Sequence, residues 1–124
     1  MTREEMPIFT KTQDFLTWLL PATNHFPRAH RHTFTSRLLD AAFELRERLD
    51  EANLRKGEAR LERLQLADEA LVKVRLYLRL AGKWDWLSKS QYQHVSAMVV
   101  EIGKLLGGWR KVTVTGPAPV RARG

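Results

Sequence analysis

The sequence predicts an all-α protein, an up-down-up-down antiparallel four-helix bundle, from three observations. Apolar residues return every three or four positions over long stretches. Short breaks marked by Pro, Gly or a capping residue separate those stretches. Ahead of the C-terminal tail, nothing alternates as a strand does. A chain of 124 residues with 44% apolar side chains can bury one continuous core but is too short for two domains. Residues 1–111 read as the bundle and residues 112–124 as a flexible basic tail.

The first helix is expected over residues 8–20, where Phe15, Leu16 and Leu19 recur at helical spacing with Thr12 one turn earlier, and Pro21 stops the run. Residues 21–27 read as a connector held down by Phe26. The second helix opens near Arg28 and extends to about Asn53, its seam formed by Phe34, Leu38, Ala42, Leu45, Leu49 and Ala52. Its other faces alternate charge, a pattern of solvated surfaces laced with weak pairs.

Gly57 marks the next turn, and a third helix over residues 58–81 places Leu64, Ala67, Leu71, Val74, Leu78 and Ala81 on one stripe, with Gly82 as its C-terminal stop. Residues 83–87 (KWDWL) form a connector. Ser88 reads as an N-cap, with Gln91 completing a capping box. The fourth helix then runs to about Arg110 and buries Tyr92, Val95, Val99, Ile102, Leu106 and Trp109. Gly103, Gly107 and Gly108 on this helix each cost about 1 kcal/mol relative to Ala, and close helix approach is the ordinary reason to keep them.

Charge is distributed unevenly. The net formal charge is +7, yet residues 1–72 hold 11 basic and 12 acidic side chains, whereas residues 73–124 hold 10 basic ones against only Asp85 and Glu101. A one-sided excess of this kind repels itself and suits a polyanionic partner. Arg75, Arg79 and Lys83 lie four apart on the third helix with no acid inside the run. They form a stripe suited to phosphates, unless they snorkel to acids of another helix. Arg28 and Arg31, flanking His30 beside His32, open the second helix. There they could take a phosphate together with free backbone amides or pair with acids elsewhere in the bundle. The tail bases, Arg110, Lys111, Arg121 and Arg123, read as a loose electrostatic arm. Trp84 and Trp86 could stack on unpaired bases or cap the end of the core.

On a helical wheel with Leu71 as origin and about 100° per residue, Val74, Leu78 and Ala81 define the core face, while Leu76 and Leu80 fall near 140° and 180° and Tyr77 near 240°. A helix apolar all round meets something on its far side. Leu76, Leu80 and Tyr77 are therefore the expected contact between copies of the chain, a homo-oligomer.

Several chemistries lack carriers. Cys is absent, which removes disulfides, thiolate metal sites and a cysteine nucleophile. His25, His30, His32 and His94 show no metal-ligand spacing, and no glycine-rich loop follows a strand. No enzyme activity, metal or cofactor is expected. Without a signal peptide or an apolar run near ~18 residues, the expected compartment is the cytoplasm, with no membrane partner.

Certain runs and their order resemble the accessory variability determinant (Avd) family of diversity-generating retroelements. They are the Leu20-Pro21 break, Phe26-Pro27-Arg28 with Arg31, residues 74–79 (VRLYLR) with Ala81-Gly82, Leu87-Ser88, Gln91-Tyr92, and residues 101–109 (EIGKLLGGW). The likeness covers roughly residues 8 to 111. A wider group of four-helix-bundle proteins, encoded in ribosomal RNA intervening sequences, shares the fold. The resemblance implies a homopentameric basic barrel that binds RNA and DNA with little sequence preference. It also implies association with the retroelement's reverse transcriptase in support of mutagenic cDNA synthesis and retrohoming. The family's basic third-helix positions fall on Arg75 and Arg79. The charged second helix, the Trp84/Trp86 connector and the Pro-containing tail depart from the family pattern. The alternative expectation is a protein–protein scaffold with no specific nucleic-acid role.

Overall fold

A computed structural model describes residues 6–115, and the regular structure among them is entirely helical. Four α-helices, α1 (Pro7–Ala22), α2 (Ser36–Asn53), α3 (Gly57–Lys83) and α4 (Lys89–Thr115), follow one another with short connections. Side-chain contacts set their directions. Trp109 meets Phe9 while His94 meets Trp18, so α4 runs against α1. Arg60 reaches Ala52 while Tyr77 reaches Phe34 at the far end, so α3 runs against α2. Arg110 pairs with Asp68 while Tyr92 packs on Gly82, so α4 runs against α3. The arrangement is that of an antiparallel four-helix bundle.

The core follows the periodic stripes. Every seam residue expected on the second and third helices is buried, from Phe34 to Ala52 and from Leu64 to Ala81, and on α4 so are Val95, Val99, Ile102 and Leu106. Tyr92, Trp109 and Leu16 are half-buried at its margin. Ile8 and Phe9 close the core at the start of α1, where Pro7 occupies the first turn.

The ends of the elements depart from expectation in four places. Pro21 does not stop α1 but lies in its last turn, before a 3-10 turn at Thr23–His25. The carbonyl that a residue at this position would bond belongs to Thr17, and both residues are exposed, so water can satisfy it.

The second helix does not open as an α-helix at Arg28. A 3-10 turn (Arg28–His30) and a π turn (Arg31–Thr35) precede α2. The widened π turn buries two consecutive residues, Phe34 and Thr35, which a regular turn would place 100° apart.

Gly82 does not end the third helix. The left-handed residue is Asp85, at φ 63°. Asp85 N–H donates to the Gly82 carbonyl (3.2 Å) and Trp86 N–H to the Ala81 carbonyl (2.9 Å), the paired bonds of a Schellman cap. Gly57, by contrast, does take φ 57° at the α2–α3 turn.

Finally, α4 continues to Thr115 rather than ending near Arg110, so residues 112–115 of the expected tail are helical. Thr113 and Thr115 return their hydroxyls to the carbonyls of Trp109 and Lys111, and Gly116-Pro117 follows. The rest of the expected tail, with Arg121 and Arg123, lies outside the described residues. Among the described residues, no helix is long and apolar enough to cross a membrane.

Candidate nucleic-acid interface

Several acids of the bundle are engaged by cations other than those of the α3 stripe. On α2, Arg48 holds Glu51 at 2.8 Å and Glu44 at 3.5 Å, Arg46 holds Asp50 at 3.2 Å, and Arg63 of α3 joins Glu51 at 3.4 Å. Hydrogen bonds from Arg48, reinforced by the charges of Arg48, Arg63 and Arg55, hold the Glu51 carboxyl below its ordinary value, against a smaller opposing cost of burial. Lys11 takes Glu101 at 3.4 Å.

Arg110 is bound to Asp68 at 3.4 Å and to the Gln65 amide oxygen at 2.6 Å. This corrects the expectation that it belongs to a loose arm. Its position inside α4, one helix face across from Asp68, gives it a carboxylate to reach.

Arg75, Arg79 and Lys83 are exposed, and none enters an ion pair among the described residues. They stand on the α4 side of α3. The Arg75 guanidinium lies over Gly103, filling the space a Cβ would take there. Arg75 and Arg79 line a groove between α3 and α4 with Tyr92, Ser96 and Val100. Arg79 continues into an adjoining concavity with Lys83, Ser88, Lys89 and Asp85. Gly82 shapes this end, because a Cβ on it would come within 2.9 Å of the Tyr92 ring; the missing side chain lets Tyr92 lie against α3. The result is a row of unpaired cations beside hydroxyl donors, an arrangement able to hold successive phosphates. Lys89 was not anticipated. Its signal was the hairpin geometry, since the α3–α4 turn brings the start of α4 beside Lys83.

The second basic cluster reaches the same end of the bundle. Arg28 and Arg31 are exposed and enter no ion pair among the described residues. His30 between them stacks on Trp86, with ring centroids 5.6 Å apart and planes at 14°. Two of the backbone amides there are already used, His30 N–H bonding Pro27 and Arg31 N–H bonding Arg28 within the 3-10 turn. Phe34 sits at the centre of this end, its ring edge-on to Tyr77, Trp84 and Trp86 at 5.1–5.6 Å. Trp84 and Trp86 therefore cap the core, as one of the two readings of the sequence had it, and Trp84 still keeps 46% of its surface exposed.

Of the three residues expected on an outer apolar face, Leu76 is 42% exposed, whereas Leu80 and Tyr77 pack at the edge of the core. Val72 and Val100 are the other large apolar residues left exposed on this side. A Cβ on Gly107 or Gly108 would meet nothing within 4 Å among the described residues, so close helix packing explains Gly82 and, through Arg75, Gly103, but not these two. Among the described residues, no group of three or more His, Asp or Glu side chains could hold a metal ion.

A protein with unknown function from the S23 ribosomal protein family of Bacteroides thetaiotaomicron VPI-5482 has a solved structure similar to this one. The TM-score is 0.76 at 16% identity, covering 84% of this chain and 98% of that one. At that identity the likeness concerns the fold. No curated protein matches the chain. Residues 6–113 match the family described as bAvd-like, a span that includes α1, α2, α3, all but the last two residues of α4 and both basic clusters, and the chain belongs to that family.

Proposed function

We propose that this protein is a non-catalytic accessory factor of a diversity-generating retroelement, acting in the cytoplasm. It binds RNA or DNA through the α3–α4 basic groove and associates with the element's reverse transcriptase during mutagenic cDNA synthesis and retrohoming. Membership of the bAvd-like family supports the retroelement setting. The observation that carries nucleic-acid binding is the row Arg75, Arg79 and Lys83, exposed and in no ion pair among the described residues while Glu101 and Asp68 serve other cations. Exposed Val72, Leu76 and Val100 flank that row. They support self-association, with a pentameric barrel as the assembly, which would repeat the cationic row around its surface.

Contacts to the phosphate backbone require affinity to fall steeply with salt and to vary little with sequence. The Arg75→Glu/Arg79→Glu double variant should stay helical and lose at least ~10-fold in affinity for RNA and DNA alike, with a log–log salt slope shallower by roughly two. Unchanged affinity in an electrophoretic shift or anisotropy titration at physiological salt would refute the assignment. The same exposed apolar residues favour a second reading, a protein–protein scaffold. Wild-type protein that binds neither RNA nor DNA at that salt would leave the scaffold standing.

A further inference from the structure

The Trp84 end of the bundle combines three features that core capping leaves unexplained. First, a Schellman cap built on a left-handed Asp85 fixes the connector rigidly, and an aspartate at that conformation is less favourable than the usual Gly or Asn. Second, the fixed connector holds Trp84 against Trp86 (5.0 Å) and Phe34 (5.5 Å) while almost half of the indole faces solvent. An aliphatic side chain would close the core there without exposing a large π surface. Third, the aromatic surface continues through Trp86 to the His30 ring stacked in parallel on it, and His30 is itself exposed. Exposed cations neighbour these rings in sequence, Lys83 next to Trp84 and Arg28 and Arg31 on either side of His30, and none enters an ion pair among the described residues. Asp85 is the sole acid between Glu69 and Glu101 in the sequence.

We infer that this end is a base-stacking site for unpaired nucleotides, in which Trp84 takes a base on its open face while Lys83, Arg28 and Arg31 hold the adjoining phosphates. The inference deepens the nucleic-acid reading above and rests on it. Aromatic platforms within a positive surface bind single strands with little base preference, because every base offers a π face. A duplex keeps its bases stacked internally and offers only phosphates. The α3–α4 groove therefore accepts either form, whereas the Trp84 end distinguishes them. A protein partner would be expected to meet the exposed indole with a core depleted of charge, whereas exposed Lys83, Arg28 and Arg31 stand next in sequence to the residues of this end.

The test compares the full chain with Trp84→Leu, Trp84→Phe and Asp85→Asn. The probes are a short oligothymidine and a blunt duplex of the same length at physiological salt, with circular dichroism as a check on folding. Trp84→Leu, which keeps an apolar cap, should weaken oligothymidine binding by roughly 5- to 100-fold and leave duplex binding within about two-fold. Trp84→Phe should retain most of the single-strand affinity. Asp85→Asn, which tolerates the same backbone and removes the one opposing charge, should tighten it. Quenching of intrinsic tryptophan fluorescence by oligothymidine should be reduced in Trp84→Leu.

Equal losses on both probes, or no loss on either, would overturn the stacking site while leaving the phosphate groove intact. Wild-type protein that binds neither probe would instead overturn the nucleic-acid reading on which the site rests. A fall in oligomer mass in Trp84→Leu without selective loss of single-strand binding would assign the indole to a contact between copies and also defeat the proposal.

Discussion

Replacing Gly107 and Gly108 by alanine should stabilise this bundle, although both glycines fall in a run shared with the family. Both lie inside α4, well before its end at Thr115, where glycine costs about 1 kcal/mol relative to alanine through backbone entropy. A Cβ built on either meets nothing within 4 Å among the described residues, so no packing penalty there offsets the gain. The double variant should therefore gain about 2 kcal/mol. With an unfolding entropy of about 2.1 cal/mol/K per residue over roughly 110 ordered residues, each kcal/mol is worth about 4 °C, and Tm should rise by roughly 8 °C in a circular-dichroism melt at fixed concentration.

Gly82→Ala supplies the control. Its Cβ would fall 2.9 Å from the half-buried Tyr92 ring, so the clash should cancel or outweigh the same propensity gain and Tm should not rise. A lower Tm in the Gly107/Gly108 variant would refute the reasoning from open space. If sedimentation showed a smaller particle at the same time, the glycine surface would belong to a contact between copies of the chain.

Two further perturbations test the local electrostatics and capping. Ser88→Ala removes the hydroxyl that accepts the Gln91 backbone N–H at 3.1 Å and leaves only the other half of the box, the residue-88 backbone N–H donating to Gln91 Oε1 at 2.8 Å. It should cost about 1 kcal/mol, and a urea midpoint equal to wild type would show that the box contributes nothing. Glu51 is held below its ordinary value first by the Arg48 hydrogen bond, so its contribution is present above the unfolded carboxylate range and is lost as pH falls through the depressed folded value. Because the pair is about one-third exposed, the contribution should stay below about 1 kcal/mol. Glu51→Gln should therefore be slightly less stable than wild type at neutral pH and converge with it as pH falls through the depressed folded value. Parallel urea midpoints across the acid range would refute the linkage.

The parts of the fold legible in the sequence are those that repeat. The seams from Phe34 to Ala52 and from Leu64 to Ala81 are periodic over many turns, and burial follows periodicity wherever a helix has one apolar side. The Ser88/Gln91 box was legible for a different reason, since both partners lie within one turn and need no tertiary information. The misplaced boundaries share a cause. Pro21, Gly82 and the Val-Thr run at residues 112–115 carry strong local preferences that the surrounding helix overrides. Gly82 is kept for the Tyr92 ring that packs on it, a constraint visible only once α4 lies alongside. The widening of the turn at Arg31–Thr35 depends in the same way on Phe34 finding four aromatic neighbours from three other parts of the chain. No window of sequence contains them.

For the candidate site, composition located the charge and the fold decided which charges stay free. Arg46, Arg48, Arg63 and Arg110 are as cationic as Arg75 and Arg79, but each has a carboxylate within 4 Å because α2 and the first half of α3 bring acids to them. The second half of α3 packs beside a helix whose one acid, Glu101, serves Lys11 of α1. Among the described residues, the one uncommitted acid at the stripe is Asp85 in the α3–α4 connector, beside Arg79 and Lys83, and a single carboxylate cannot neutralise three cations. Like charges four residues apart each cost a few tenths of a kcal/mol, a penalty the isolated bundle bears without a compensating internal contact. Phosphates bound along the groove would remove that repulsion as well as add their own attraction, so nucleic acid should bind the folded bundle in preference to the unfolded chain and stabilise it. A stripe neutralised from within the fold would have no such coupling.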